Sequence, residues 1–236
     1  MTDIPEEYRN ASRGEYVYCV LRDAIQSGKY RPGERVREDE IARALGVSRT
    51  PVREALHRLS ERGLLELASG RGLVVVELNK QQMVELYAMR EMLEGAAAGL
   101  AAQHASPAEI DTMSRLLEEL RTAGEDSEKV AYLNRLLHQT IYDAAHNRYL
   151  LQTLNELRDA MALLRDTTFA VSGRPAAADI EHQAIVLAIQ KRSPDHAEQA
   201  ARFHIREAQR ARMELQFQLY ADSNGRHRQP RTALDS

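Results

Sequence analysis

Residues 38–62, EDEIARALGVSRTPVREALHRLSER, decide how the rest of the chain is read. Their first part predicts a short helix, Glu38 to Leu45, closed by Gly46. Ser48 then has the residue type and position of an N-cap. Pro51 falls in the first turn of the helix that follows, Arg49 to Arg62, where its missing N–H costs nothing. At about 100° per residue, Val52, Ala55, Leu56 and Leu59 share one face, while Arg49, Thr50, Arg53 and His57 lie roughly 120° round from it. The apolar face packs and the polar face looks outward.

Upstream, Val17, Val20, Leu21, Ala24 and Ile25 recur at helical spacing and predict a helix from Gly14 to Ser27, stopped at Gly28. Downstream, Leu64 to Leu67, the turn Ala68-Ser69-Gly70-Arg71-Gly72 and the run Leu73 to Val76 read as a two-stranded hairpin. Three helices and a hairpin within residues 1–76 make a winged helix-turn-helix. Within residues 43–62 five arginines face two acids, Glu54 and Glu61, an excess that suits a polyanion partner or a solvated helix face.

After a linker at 77–81 the chain reads as helix throughout. Met83, Leu86, Tyr87, Arg90, Leu93, Glu94 and Ala97 recur at spacings of three and four, and Ser106-Pro107-Ala108-Glu109 has the pattern of a capping box. Breaks at Thr122-Ala123-Gly124, His146-Asn147, Val171 to Pro175 and Ser193-Pro194 divide the stretch into a helical bundle over residues 82–222. Residues 223–236 have no apolar period and read as a disordered tail.

Composition agrees with a mostly α protein. The 236 residues carry a net charge of −3, with 12 glycines and 7 prolines, and β-branched residues cluster at Val74-Val75-Val76. The single cysteine, Cys19, cannot form an internal disulfide and lies on an apolar helical pattern, as a packed thiol does. No apolar run approaches the roughly 18 residues that span a bilayer. The opening MTDIPEEYRN has no secretory-signal pattern, so a cytoplasmic protein without membrane contact is expected.

The stretch REDEIARALGVSRTPVREALHRLSERGLLEL, preceded by IQSGKYRPGERV, resembles the DNA-binding domain of the GntR family of bacterial transcription regulators. The resemblance implies a third helix in the major groove of a double-stranded operator and a wing tip at the minor groove. Arg49, Thr50 and Arg53 are then the expected contacts, with a close backbone approach at Gly70. The chemistry fits: an Arg fork can take guanine O6 and N7 together, a Thr hydroxyl can bind phosphate, and glycine leaves room. Arg58 and Arg62 lie further along the helix and read as surface or interdomain residues.

The bundle resembles the FCD ligand-binding domain of the FadR subfamily, on Arg90-x-x-x-Glu94 with AAAGLAAQHA, on Asn134-Arg135-Leu136-Leu137-His138 with Ile141 and Asn147, on Glu181-His182-Gln183-Ala184-Ile185, and on His204. The resemblance implies a divalent metal site at Asn134, His138, His182 and His204, with Asn standing where Asp is the commoner ligand. Residues 134 and 138 project from one helix face a turn apart, beside the stripe Val130, Leu133, Leu137, Ile141. Three imidazoles and a neutral oxygen suit zinc, nickel or iron, less tightly than with a carboxylate. The same histidines could instead hold an anionic effector as hydrogen-bond donors. Arg90 is either a contact for a small carboxylate effector or a structural partner of Glu94.

Other function classes fare worse. HExxH, GxSxG and phosphate-loop patterns are missing, so a metal-dependent hydrolase has little support; a ligand-independent architectural DNA-binding dimer is the other alternative, which a ligand-induced thermal shift separates from a sensor. The reading is a homodimeric, metabolite-responsive regulator, a repressor released by a small organic acid. Two reader domains on a near-palindromic site supply the affinity that one lacks.

Overall fold

The computed structural model describes residues 12–123, 126–164 and 167–226. Its first helices are α1 (Arg13–Gln26), α2 (Glu38–Leu45) and α3 (Arg49–Glu61), followed by β1 (Leu65–Ala68) and β2 (Gly72–Val75). Then come α4 (Lys80–His104), α5 (Pro107–Thr122), α6 (Ser127–Ala144), α7 (Arg148–Met161), a 3-10 turn at Thr168–Ala170, α8 (Arg174–Gln190) and α9 (Pro194–Arg226). These elements fall into two compact units, one from residues 12–86 with 152–164, the other from 87–151 with 167–226.

The first unit is the winged helix-turn-helix. The acidic first turn of α2, Glu38-Asp39-Glu40, suits the positive end of a helix dipole, and Gly46 closes the helix in the left-handed region at φ 65°. Ser48 occupies the expected N-cap position of α3 with extended backbone, yet its side chain makes no capping bond. Val52, Ala55, Leu56 and Leu59 are buried, packed with Val17, Leu21 and Ile25 of α1 and Ile41 of α2. Burying a side chain such as Leu59 contributes roughly 1.5–3 kcal/mol, so this face rather than intrinsic propensity holds α3 in place. The strands pair antiparallel with Leu65 opposite Val75 and Ala68 opposite Gly72. Each strand is shifted one residue toward the turn from its expected span, and just beyond the strand ends the carbonyl of buried Leu64 still accepts from Val76 N–H at 3.0 Å. Residues 33–36 anchor the wing: Val36 N–H donates to Leu73 O, and Val75 N–H to Glu34 O, both at 2.9 Å.

Two boundaries differ from the sequence reading. α4 begins at Lys80, inside the expected linker, and residues up to Leu86 cluster with the first unit. Residues 152–164, expected in the bundle, also belong to the first unit, where Leu163 is 4% exposed within its core. Buried Asp159 on α7 accepts from Gln26 Nε2 of α1 at 2.8 Å and from Arg62 Nη1, just past α3, at 3.1 Å.

The second unit is a helical bundle. The Ala-rich part of α4 buries Ala97, Ala98, Ala101 and Ala102. A Cβ added to Gly95 would lie 2.7 Å from Cγ of Arg202, so a larger residue at position 95 would force the Arg202 side chain of α9 to move. The expected capping box is formed in full: Ser106 accepts from the Glu109 N–H at 3.3 Å while Glu109 accepts from the Ser106 N–H at 2.7 Å. Leu133, Leu137 and Ile141 of α6 are buried, as are Ile185 and Ile189 of α8 and Ile205 of α9. α9 stays helical to Arg226, so the irregular tail does not begin at Ser223; the rest of it, residues 227–236, lies outside the described residues.

Candidate functional site

In the reader unit, Arg49, Thr50, Arg53 and His57 are all exposed on one side of α3, opposite the buried face. Neither arginine is idle. Arg49 lies 2.8 Å from Asp39 Oδ1, and Arg53 Nε donates to Glu38 Oε2 at 2.9 Å. The acidic turn of α2 therefore holds two guanidiniums at the start of α3. Arg58 and Arg62 turn the other way, Arg58 stacking 4.0 Å over the Tyr18 ring and donating to Glu15 at 2.6 Å. Gly70 forms the wing tip at φ 71°, with nothing within 4 Å of where a Cβ would stand.

In the bundle unit, three helices bring His138 (α6), His182 (α8) and His204 (α9) together. Their ring centroids are 4.5 to 5.4 Å apart, and one nitrogen from each lies within 4.8 Å of the others. All three are buried. Burial pushes His182 and His204 well below the ordinary imidazole range, with the neighbouring imidazoles acting in the same direction, so both are neutral.

Carboxylates stand behind two of the rings. Nδ1 of His204 is 2.6 Å from Glu181 Oε2, and Nδ1 of His138 is 2.9 Å from Glu94 Oε2. A carboxylate oxygen accepts, so in each pair Nδ1 is the donor, and the neutral His204 then presents a lone pair at Nε2. The carboxylates are themselves held: Arg174 donates to both oxygens of Glu181 at 2.6 and 2.7 Å, Arg90 Nε to Glu94 at 2.7 Å, and the Tyr142 hydroxyl to Glu94 at 2.6 Å. Burial alone would raise the Glu94 pKa, but the Arg90 charge and the bonds from His138 and Tyr142 outweigh it and hold the carboxyl ionised.

Buried polar atoms without a hydrogen-bond partner include Nε2 of His138, Nε2 of His182 and Oδ1 of Asn134, which lies one helical turn before His138. Buried polar atoms left without a partner are expensive, and a ligand that meets them removes that cost. A divalent cation is the species this donor set fits. The adjoining cavity has about 10 Å³ of space, room for one water-sized particle, and is lined by the polar Glu94, His138, Tyr142 and His204 together with apolar residues such as Ile141, Ile185 and Ile205.

Of the predicted bundle residues, the structure brings the three histidines together and leaves Asn134 Oδ1 buried on the helix of His138. Arg90 is not among the residues lining the cavity; its Nε serves Glu94, and its guanidinium lies 4.9 Å from the Tyr87 ring centroid. Of the two readings of Arg90, the geometry realises the ion pair. Sequence reasoning missed Arg174 and Tyr142. Tyr142 had a signal, four residues after His138 on the same face; Arg174 sat in a presumed break and had none.

Comparison with known proteins gives two matches along the chain: the family described as bacterial regulatory proteins, gntR family, over residues 13–75, and the FCD domain over residues 85–207. The uncharacterized HTH-type transcriptional regulator YdhC of Bacillus subtilis is 30% identical over 190 residues, covering 79% of this chain and 85% of its own length. The gluconate operon transcriptional repressor of Bacillus licheniformis is 29% identical over 160 residues, covering 66% of this chain and 65% of its own. Among solved structures, E. coli McbR/YncC matches with a TM-score of 0.74 at 25% identity, over 89% of this chain and 99% of that one.

Proposed function

The chain belongs to the gntR family of bacterial regulatory proteins and carries an FCD domain, and from that premise we propose that it is a homodimeric repressor whose bundle senses a small carboxylate through a bound divalent metal. It is a metabolite-responsive DNA-binding transcription regulator and not an enzyme. No helix among the described residues is long and apolar enough to cross a membrane.

Arg49, Thr50 and Arg53 are the base and phosphate contacts of this reading, with Gly70 at the DNA backbone. Their exposure on the outward face of α3 supports it. Repression has the support of the gluconate operon repressor's likeness. Dimerisation has the support of half-site geometry, since one recognition helix reads only a few base pairs.

The single observation that carries the sensor reading is the buried trio His138, His182 and His204, with Nδ1 of two rings given to carboxylates. That arrangement disfavours direct capture of an anion, because the neutral His204 ring, donating through Nδ1, offers an acceptor at Nε2. It favours a cation, with Asn134 as the fourth donor, and zinc, nickel and iron accept such a set. When bound, the metal supplies a Lewis-acidic centre with positions open to a carboxylate. The protein's part is to orient the imidazoles through Glu94 and Glu181 and to exclude bulk water. Arg90 acts behind the ligands, holding Glu94.

Elemental analysis of untagged protein tests the reading. About one divalent ion per chain is expected, lost in His182→Ala and His204→Ala. Metal content near zero, unchanged after dialysis against zinc or nickel, would eliminate the metal.

A further inference from the structure

Arg53 and Arg49 of α3 meet their acids through different atoms. Glu38 Oε2 takes the Nε hydrogen of Arg53 at 2.9 Å, while Asp39 Oδ1 stands 2.8 Å from Nη2 of Arg49, one end of its fork. Among the described residues the Arg53 guanidinium makes no other hydrogen bond, and Glu38 Oε1 is buried without a partner. Both terminal nitrogens of Arg53 therefore stay open, on a side chain 67% accessible. Those two nitrogens are the pair that can meet guanine O6 and N7 together.

Charge decides between a base and a phosphate. The pair of Arg53 and Glu38 has no net charge, so what a phosphate gains from the guanidinium it largely loses to the carboxylate behind it. Guanine's two acceptors are neutral and meet no such opposition. Holding Nε also removes rotamer freedom that a bidentate contact would otherwise have to take away. Resting on the contact role proposed for Arg53, we propose that Arg53 reads a guanine in the major groove and that Glu38 is its positioning residue, turning the arginine from phosphates toward that base. Glu38 then weakens binding to DNA at large and raises the ratio of specific to non-specific affinity. Arg49 must first release Asp39 to offer the same fork.

A pool of random-sequence duplexes supplies the probe. The sequence that the full chain enriches is synthesised, together with forms in which each G·C pair in turn becomes A·T, and all are titrated with wild type, Arg53→Ala and Glu38→Gln. At one guanine of the half-site the exchange should weaken the wild type about tenfold or more, Arg53→Ala less than about twofold, and Glu38→Gln about threefold or less. On an unrelated duplex Glu38→Gln should bind about threefold more tightly than wild type, its freed arginine turning to phosphates. Arg53→Ala should keep the wild-type salt slope on the enriched duplex, whereas loss of a phosphate contact lowers that slope by about 0.9. A slope lowered by that amount overturns base reading by Arg53. Full guanine discrimination in a folded Glu38→Gln overturns the role given to Glu38 and leaves the contact standing. Wild-type affinity for the enriched duplex in Arg53→Ala overturns the contact itself. The slope comparison needs no change at Glu38, so the proposal stays testable if that variant does not fold.

Discussion

Glu38, the first residue of α2, accepts a hydrogen bond from Arg53 Nε across the helix-turn-helix at 2.9 Å, and its neighbour Asp39 stands 2.8 Å from Arg49. Both arginines are well exposed, with side chains 67% and 62% accessible, so the pairs add little to stability. In the proposed reading their effect is on geometry: two long cations at the start of α3 already have defined places, which would lower the ordering cost of DNA contact.

Replacing Arg49 or Arg53 by Ala should weaken operator binding by about 1–3 kcal/mol each, if the contact is bidentate to a base. The thermal midpoint should barely move, since neither side chain is packed. Affinity should also fall steeply with salt as phosphate counterions are released. Mobility-shift titration at two salt concentrations measures both, and wild-type affinity in both variants would remove α3 from the role of recognition helix.

Asp159 should matter to the reader unit although it lies far from that unit in sequence. Its buried carboxylate accepts from the exposed Gln26 and the half-exposed Arg62, so truncation loses two hydrogen bonds while both donors can turn to water. Asp159→Ala should cost about 0.5–1.5 kcal/mol in denaturant unfolding, with Arg62→Ala coupled to it by more than about 0.5 kcal/mol in a double-mutant cycle. Additive effects of the two changes would show that the pair contributes nothing.

The contrast between these residues explains what could be read from sequence. The faces of α3 were legible because Val52, Ala55, Leu56 and Leu59 repeat with the helical period, and a period states which side is buried. It does not state against what. Leu154 and Leu163 gave no sign that the end of α7 packs with the reader unit rather than the bundle. The hairpin slipped by one residue because Leu64 and Leu65 are both buried, and only pairing tells them apart. In the bundle, His138 could be placed on its helix face from the spacing of 134 and 138. Meeting His182 and His204 depends on long-range packing, which only the family resemblance supplied. The partnership of Arg174 with Glu181 required knowing that α8 starts at Arg174 itself.

The capping box of α5 should make a small, pH-dependent contribution. Burial is the largest single influence on Glu109 and pushes it up, but the bonds from the Ser106 backbone and hydroxyl and from His146 together outweigh it, so its folded pKa lies below the ordinary carboxylate value. A depressed pKa means stability that is present above the unfolded value and is lost as pH falls through the folded one. Ser106→Ala should therefore cost about 0.5–2 kcal/mol at neutral pH, and a smaller amount in acid, once Glu109 is protonated. Unfolding of both chains across that range checks it; a cost that grows toward low pH would contradict the assignment.

Glu181 joins two roles that substitution can separate. It orients His204 through Nδ1 at 2.6 Å and neutralises Arg174, whose side chain is only 6% exposed. Glu181→Gln should lower metal affinity by about 10–100-fold, the usual effect of losing the partner behind a ligating imidazole. It should also destabilise the fold by about 3–5 kcal/mol, because Arg174 is left as a buried charge without its counterion. Adding Arg174→Met removes that charge, so the double variant should regain most of the stability and none of the metal affinity. Chelator competition and thermal unfolding on the same three proteins read the two effects independently. Metal affinity returning together with stability in the double variant would mean that Glu181 serves the packing of the bundle and does nothing for the imidazole it faces.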